Sequence, residues 1–194
     1  MKLILASASP RRAEILRDAG MSFTVVSSAV DETPYAGETP QELVQRLAGA
    51  KADLVAARAV GNAIVIAADT VVALDGQLLA KPRSTDDARH MLEQLSGRTH
   101  AVHTGVSLIR LPDAEHLQFV ETTLVTFSQL TADEISQYLA TEEPYDKAGS
   151  YAIQGRAGRY ISRIEGCYYN VVGLPLARVV AALRELGWTE GQEM

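Results

Sequence analysis

Leu3-Ile4-Leu5 opens the chain as a short apolar run, the pattern of a buried strand. Ser9-Pro10 then starts a helix, because Ser suits the N-cap and Pro the first helical position. Ile15, Leu16 and Ala19 give that helix an apolar face, and Gly20 ends it. Phe23 to Val26 returns as a strand. Thr39-Pro40-Gln41-Glu42 joins a capping box to a helical Pro and predicts a second helix, with its stripe at Leu43, Leu47, Ala50 and Leu54. Ile64 to Ala73 is a run of β-branched and small residues, hence a buried strand. Asp75-Gly76 turns it into a hairpin partner at Gln77 to Ala80.

A third helix runs from Ser84 to Leu95 and stops at Ser96-Gly97. Strand patterns at 99–111 and 117–128, joined through Pro112-Asp113, predict an antiparallel pair. Thr131-Ala132-Asp133-Glu134 caps a fourth helix. The Gly-rich stretch 148–166 predicts another strand pair, and Leu174-Pro175 starts a closing helix that ends at Gly187. Helices interspersed with hairpin-linked and crossover-linked strands indicate an α/β fold, a mixed sheet with flanking helices.

Length and charge narrow the picture. The 194 residues suit one domain, 1–194, or two intimate lobes. A net charge of −6 argues against a non-specific nucleic-acid binder, which carries a basic footprint. A polyanion would have to be held by a local cluster of cations or a metal. Cys167 is the single cysteine, so no intramolecular disulfide and no thiolate metal site is expected. The first apolar run is too short for a signal peptide and no segment reaches the length of a membrane span, so a cytoplasmic protein with no membrane partner is expected.

Candidate chemistry begins at Ser7-Ala8-Ser9-Pro10-Arg11-Arg12, a strand-to-helix loop. Helix-start N–H groups favour anions, and two hydroxyls with two guanidiniums beside them make a phosphate cradle. A capped helix with two solvated arginines accounts for the same residues. Asp69 interrupts an apolar run, where an ionised carboxylate is costly unless paired or bound to metal. A strand-end position would relieve that cost; a hydrogen bond to a nearby turn is the other reading. Lys51 falls near the apolar stripe of the second helix, where snorkelling along the core edge is one account. Lys81-Pro82 ends the hairpin strand, and Asp31-Glu32 lies in an irregular stretch. His100 and His103, three apart on a strand, face opposite sides and cannot share a metal. No GxxxxGK[ST] loop and no GxGxxG fingerprint is present.

These segments, in order, resemble the Maf family of nucleotide pyrophosphatases. The matching pieces are Ser7 to Arg12, Asp31-Glu32-Thr33, Lys51, Ala68-Asp69-Thr70-Val71-Val72, Lys81-Pro82 and Leu95-Ser96-Gly97. They continue through Asp146-Lys147-Ala148-Gly149-Ser150-Tyr151, Ile153-Gln154-Gly155 and Val171 to Leu176. The resemblance implies a fold related to the inosine triphosphate pyrophosphatases, with a nucleotide cleft between two lobes and a homodimer. It implies Asp69 as the catalytic acceptor of a proton from water. It further implies Arg11, Lys51 and Lys81 as triphosphate ligands assisted by Ser7 and Ser9, and Glu32 and Asp69 as the acids facing Mg²⁺ or Mn²⁺. Members that favour dTTP and UTP carry Arg, Thr and Gln at positions that are Arg12, Thr70 and Gln154 here. Members that cleave 7-methyl-GTP resemble Trp, Gln and Glu there. The expectation is therefore hydrolysis of dTTP and UTP to the monophosphate and pyrophosphate. The rival readings are a 7-methyl-GTP or non-canonical nucleotide pyrophosphatase, and a regulatory binding protein in cell division.

Overall fold

A computed structural model describes residues 1–189. Its elements are β1 (Lys2–Leu5), α1 (Pro10–Asp18), β2 (Phe23–Val25), α2 (Pro40–Ala56), β3 (Ala63–Leu74), β4 (Gln77–Leu79) and α3 (Thr85–Leu95). They continue as β5 (Thr99–Leu111), β6 (Glu115–Phe127), α4 (Ala132–Leu139), β7 (Ile161–Glu165), α5 (Tyr168–Val172) and α6 (Leu176–Glu185). The strands form one mixed sheet in the order β2-β1-β3-β5-β6-β7, with β4 paired to β3. Strand β1 runs parallel to both β2 and β3, and β4 and β7 pair antiparallel with β3 and β6. The mixed α/β sheet expected from the pattern is the one observed.

The chain gathers into two compact units: Met1–Thr70, Thr104–Glu121 and the described residues from Gly173 to 189 form the first, Val71–His103 and Thr122–Val172 the second. In the first unit, small residues allow close packing. Ala52 and Val55 of α2 cluster with Ala6, Val65, Ala67 and Ile109. A Cβ added at Gly105 of β5 would stand 2.2 Å from the Val44 carbonyl oxygen, so only glycine lets α2 lie this close. Thr39 caps α2 in the box read from the sequence, with its hydroxyl accepting from Glu42 N–H and the Glu42 carboxylate accepting from Thr39 N–H.

In the second unit, Leu92 and Leu95 of α3, Tyr138 of α4 and Phe127 of β6 build the core. His100 Nε2 lies 2.7 Å from the Tyr151 hydroxyl, and both rings pack against Phe127. Burial holds the imidazole at about 4, well below the ordinary histidine value, and raises the Tyr151 phenol. The 75–76 turn has positive φ at both positions, the two-residue hairpin geometry that Asp-Gly favours.

Stretch 148–166 departs from expectation. It holds one strand, β7, preceded by short 3₁₀ turns, in place of a strand pair. Glu143 takes up the backbone there, its carboxylate accepting from Arg156 N–H and Ala157 N–H, so those donors need no ladder. The short helix α5 was not anticipated; buried Asn170 donates from it to the Val102 carbonyl and the Thr123 hydroxyl. Strand β6 begins at Glu115, two residues earlier than its pattern suggests, and α6 ends at Glu185 with Gly187 in the following turn.

Candidate active site

The site grows from the carboxyl end of a parallel strand pair. Register between β1 and β3 runs to Leu5 opposite Ile66, and Ala6 N–H extends it to the Ile66 carbonyl. Beyond that point β1 turns into the Ser7–Ser9 loop while β3 continues to Leu74. Asp69 therefore lies inside its own strand, not at the end anticipated from sequence, but past the end of its neighbour. Side chains that leave β3 here enter the space in which α/β folds gather ligands.

Asp69 is 8% exposed, and its Oδ1 accepts from the Lys51 ammonium at 2.6 Å. The same ammonium reaches Glu32 Oε1 at 2.6 Å. A buried carboxylate and a buried ammonium thus neutralise each other, with a second, more exposed acid on the same nitrogen. Lys51 does not snorkel along a core edge. The buried face of α2 comprises Leu43, Val44, Leu47, Ala48, Lys51, Ala52 and Val55, which places the ammonium-bearing chain within the stripe. Ala48 and Ala52 carry this face with little hydrophobic signal, so the sequence pattern appeared rotated toward Ala50 and Leu54.

Arg12 is anchored through each of its three nitrogens. Nε donates to the Gly173 carbonyl at 2.8 Å, Nη1 to Ser7 Oγ at 3.2 Å and Nη2 to Thr70 Oγ1 at 3.0 Å. All three partners are neutral. Burial pulls the guanidinium below its ordinary value, opposed by the fields of Asp69 and Glu32. Gly173 has φ 130°, a conformation that strains residues with a Cβ. Thr70 Oγ1 also lies 2.9 Å from Thr104 Oγ1. Thr104 is a member of this network that sequence reading missed, since a second strand threonine carries no distinctive signal alone; Gly173 was read only within the Val171 to Leu176 segment, without its role as a partner of Arg12.

Ser9 stands at the N-cap of α1 but makes no capping bond; its backbone N–H instead donates to Ser7 Oγ at 3.2 Å. The capping role expected of its hydroxyl is not used. Arg11 is half-buried on the first turn of α1. Ser7, Ser9, Arg11, Arg12, Glu32, Lys51, Asp69 and Thr70 all belong to the first unit. Lys81 and Gln154 belong to the second, both exposed.

A family model described as "Maf-like protein" matches residues 2–186. The chain belongs to the Maf family. This Maf chain is 50% identical over 186 residues to a protein of Syntrophus aciditrophicus named dTTP/UTP pyrophosphatase, covering 96% of this chain and 90% of the relative. It is 48% identical to a protein of the same name from Carboxydothermus hydrogenoformans, over 97% of this chain and all of the relative. Among solved structures it resembles the Staphylococcus aureus Ham1 protein, with a TM-score of 0.53 at 16% identity over 96% of this chain and 100% of that one. The Ham1 protein of Coxiella burnetii gives 0.52 at 14% identity, over 95% and 99%. These two likenesses concern the fold alone.

Proposed function

We propose that this Maf chain is a nucleoside triphosphate pyrophosphatase that hydrolyses dTTP and UTP to the monophosphate and pyrophosphate. The observation that carries the reading is the buried Asp69–Lys51 ion pair, joined by the exposed Glu32, in the same unit as the anchored Arg12. Relatives that match almost end to end at about half identity bear the name dTTP/UTP pyrophosphatase. Residues 1–194 are read as one catalytic domain.

In this reading Asp69 accepts the proton of the attacking water, and Lys51, 2.6 Å away, orients its carboxylate. Arg11, Lys51 and Lys81 bind the triphosphate, assisted by Ser7, Ser9 and the first N–H groups of α1. Arg12, Thr70 and Gln154 select the base. Two carboxylates bridged by one ammonium fit a hard divalent cation, because Mg²⁺ in phosphate sites typically takes only one or two carboxylates and draws its other ligands from phosphate and water. Glu32 and Asp69 would hold that cation, which supplies positive charge to the phosphate oxygens. Phosphoryl transfer leaves little covalent work for the protein, so fixed cations and geometry dominate.

Nucleoside triphosphates are cytoplasmic metabolites, so we infer action in the cytoplasm, and a homodimer from the family resemblance. Among the described residues no helix is long and apolar enough to cross a membrane. Product analysis tests the assignment. Purified protein with UTP and Mg²⁺ or Mn²⁺ should release UMP and pyrophosphate in equal amounts. Orthophosphate as the first product, or turnover unchanged by excess chelator, would overturn it. Tight nucleotide binding without turnover would favour a regulatory binding protein instead.

A further inference from the structure

Glu32 sits in a segment with no obvious means of support. Residues 31–37 are exposed and form neither helix nor strand. Such a loop would sample many conformations, and a carboxylate on it would meet Lys51 only part of the time. Yet Glu32 reaches the Lys51 ammonium at 2.6 Å.

The support comes from α2 itself. Arg46, five residues before Lys51 on that helix, grips Glu38 through two parallel bonds, Nε to Oε1 at 2.6 Å and Nη2 to Oε2 at 2.8 Å. Nη2 also donates to the Thr33 carbonyl at 3.1 Å, next to Glu32. Glu38 Oε2 accepts in turn from Tyr35 N–H at 2.9 Å, and Glu38 N–H donates to the Tyr35 carbonyl. The Arg46 guanidinium carbon stands 3.9 Å from the centroid of the Tyr35 ring. One planar fork thus ties the backbone at 33, the ring at 35 and the carboxylate at 38 to a rigid helix. The Glu38 carboxyl is held at about 2, chiefly by its bond to Arg46, so the clamp stays charged throughout the neutral range.

We infer that Arg46 is a positioning residue that fixes the 31–38 loop on α2 and so delivers the Glu32 carboxylate to Lys51. Residue 46 sets the loop and residue 51 receives its acid, one helix fixing both ends of the contact. The inference rests on the pyrophosphatase reading only insofar as Glu32 serves that reaction.

Arg46→Met keeps much of the stem volume and removes every donor. Its expected signature is an apparent Mn²⁺ constant for UTP turnover raised about 10-fold or more, as for other outer partners of metal-facing acids. Chymotryptic cleavage after Tyr35 should accelerate while the melting temperature of the whole protein stays close to wild type. In a Glu32→Gln background the same substitution should change turnover no further. Arg46→Lys, which cannot span both Glu38 oxygens and Thr33, should fall between wild type and Met and guards against a Met variant that fails to fold. Unchanged cleavage and unchanged metal dependence in both variants, or an undiminished loss in the Glu32→Gln background, would overturn the inference. If wild-type protein does not hydrolyse UTP, the pyrophosphatase reading falls, and the cleavage rate still decides the role of Arg46.

Discussion

Lys51 Nζ stands 2.6 Å from Asp69 Oδ1, with both side chains inside the first unit's buried face. Removing either partner should have unequal consequences. Lys51→Met leaves a carboxylate buried without its cation, an uncompensated charge that costs about 3–5 kcal/mol. Asp69→Asn keeps an oxygen that still accepts from Lys51, so the fold should survive with a smaller loss. Its amide cannot take water's proton, and turnover should fall by roughly 10² or more. Urea denaturation beside UTP turnover separates the two effects. A stable Lys51→Met protein, or near-normal turnover in folded Asp69→Asn, would contradict this account.

Gly105→Ala tests the packing that places α2. The added Cβ would meet the Val44 carbonyl at 2.2 Å, and backbone cannot swing aside as a long side chain would. We expect a loss of about 1–3 kcal/mol or more, and reduced turnover as α2 and its Lys51 shift. A variant with wild-type melting temperature and wild-type kcat would show that α2 yields more easily than its contacts suggest.

Acid sensitivity should trace to His100. In the fold its imidazole titrates at about 4, against 6.5 for the free side chain, because burial opposes the charged form. Between those values the unfolded chain binds a proton that the folded chain does not. Stability therefore rises with pH across this window, is complete above 6.5, and is lost as pH falls toward 4. At about 1.4 kcal/mol per pH unit the full contribution is about 3 kcal/mol. His103, also lowered by burial, acts in the same direction. His100→Gln retains a partner for the Tyr151 hydroxyl and removes the titration, so its stability should vary less between pH 4.5 and 6.5. A slope as steep as wild type in urea titrations would remove His100 from this role.

Legibility followed the strength of local signals. Thr39-Pro40-Gln41-Glu42 and Asp75-Gly76 specify a cap and a turn through chemistry confined to a few residues, and both formed as read. Asp69 stood out because a charge inside an apolar run demands a partner. Which partner it takes was not legible, since Lys51 is 18 residues away and the alanines at 48 and 52 beside it give its buried face little signal. The 148–166 stretch misled for a related reason. Two of its backbone donors, at Arg156 and Ala157, are satisfied by Glu143, a side chain outside the stretch that no local pattern announces. Thr104 and Gly173 entered the Arg12 network only through three-dimensional proximity.

Substrate preference gives the last test. Uracil and thymine present an N3–H donor flanked by O2 and O4 acceptors, whereas cytosine has an acceptor at N3 and an amine at C4. The amide of Gln154 could satisfy either edge by flipping, so it does not exclude cytosine alone. Arg12 can only donate, and its three anchors to Ser7, Thr70 and Gly173 fix the direction of its remaining N–H bonds. A donor that cannot turn away favours carbonyl-bearing bases and leaves the cytosine amine facing another donor. In a dry site such a mismatch can reduce kcat/KM by roughly 10⁴. We expect dTTP and UTP to exceed CTP, GTP and 7-methyl-GTP when all are measured in one buffer. Thr70→Val, which removes the Nη2 anchor, should narrow the gap between UTP and CTP more than it lowers turnover of UTP. Equal kcat/KM for UTP and CTP in the wild type, or a clear preference for 7-methyl-GTP, would defeat the base assignment. Release of pyrophosphate would still stand as the reaction.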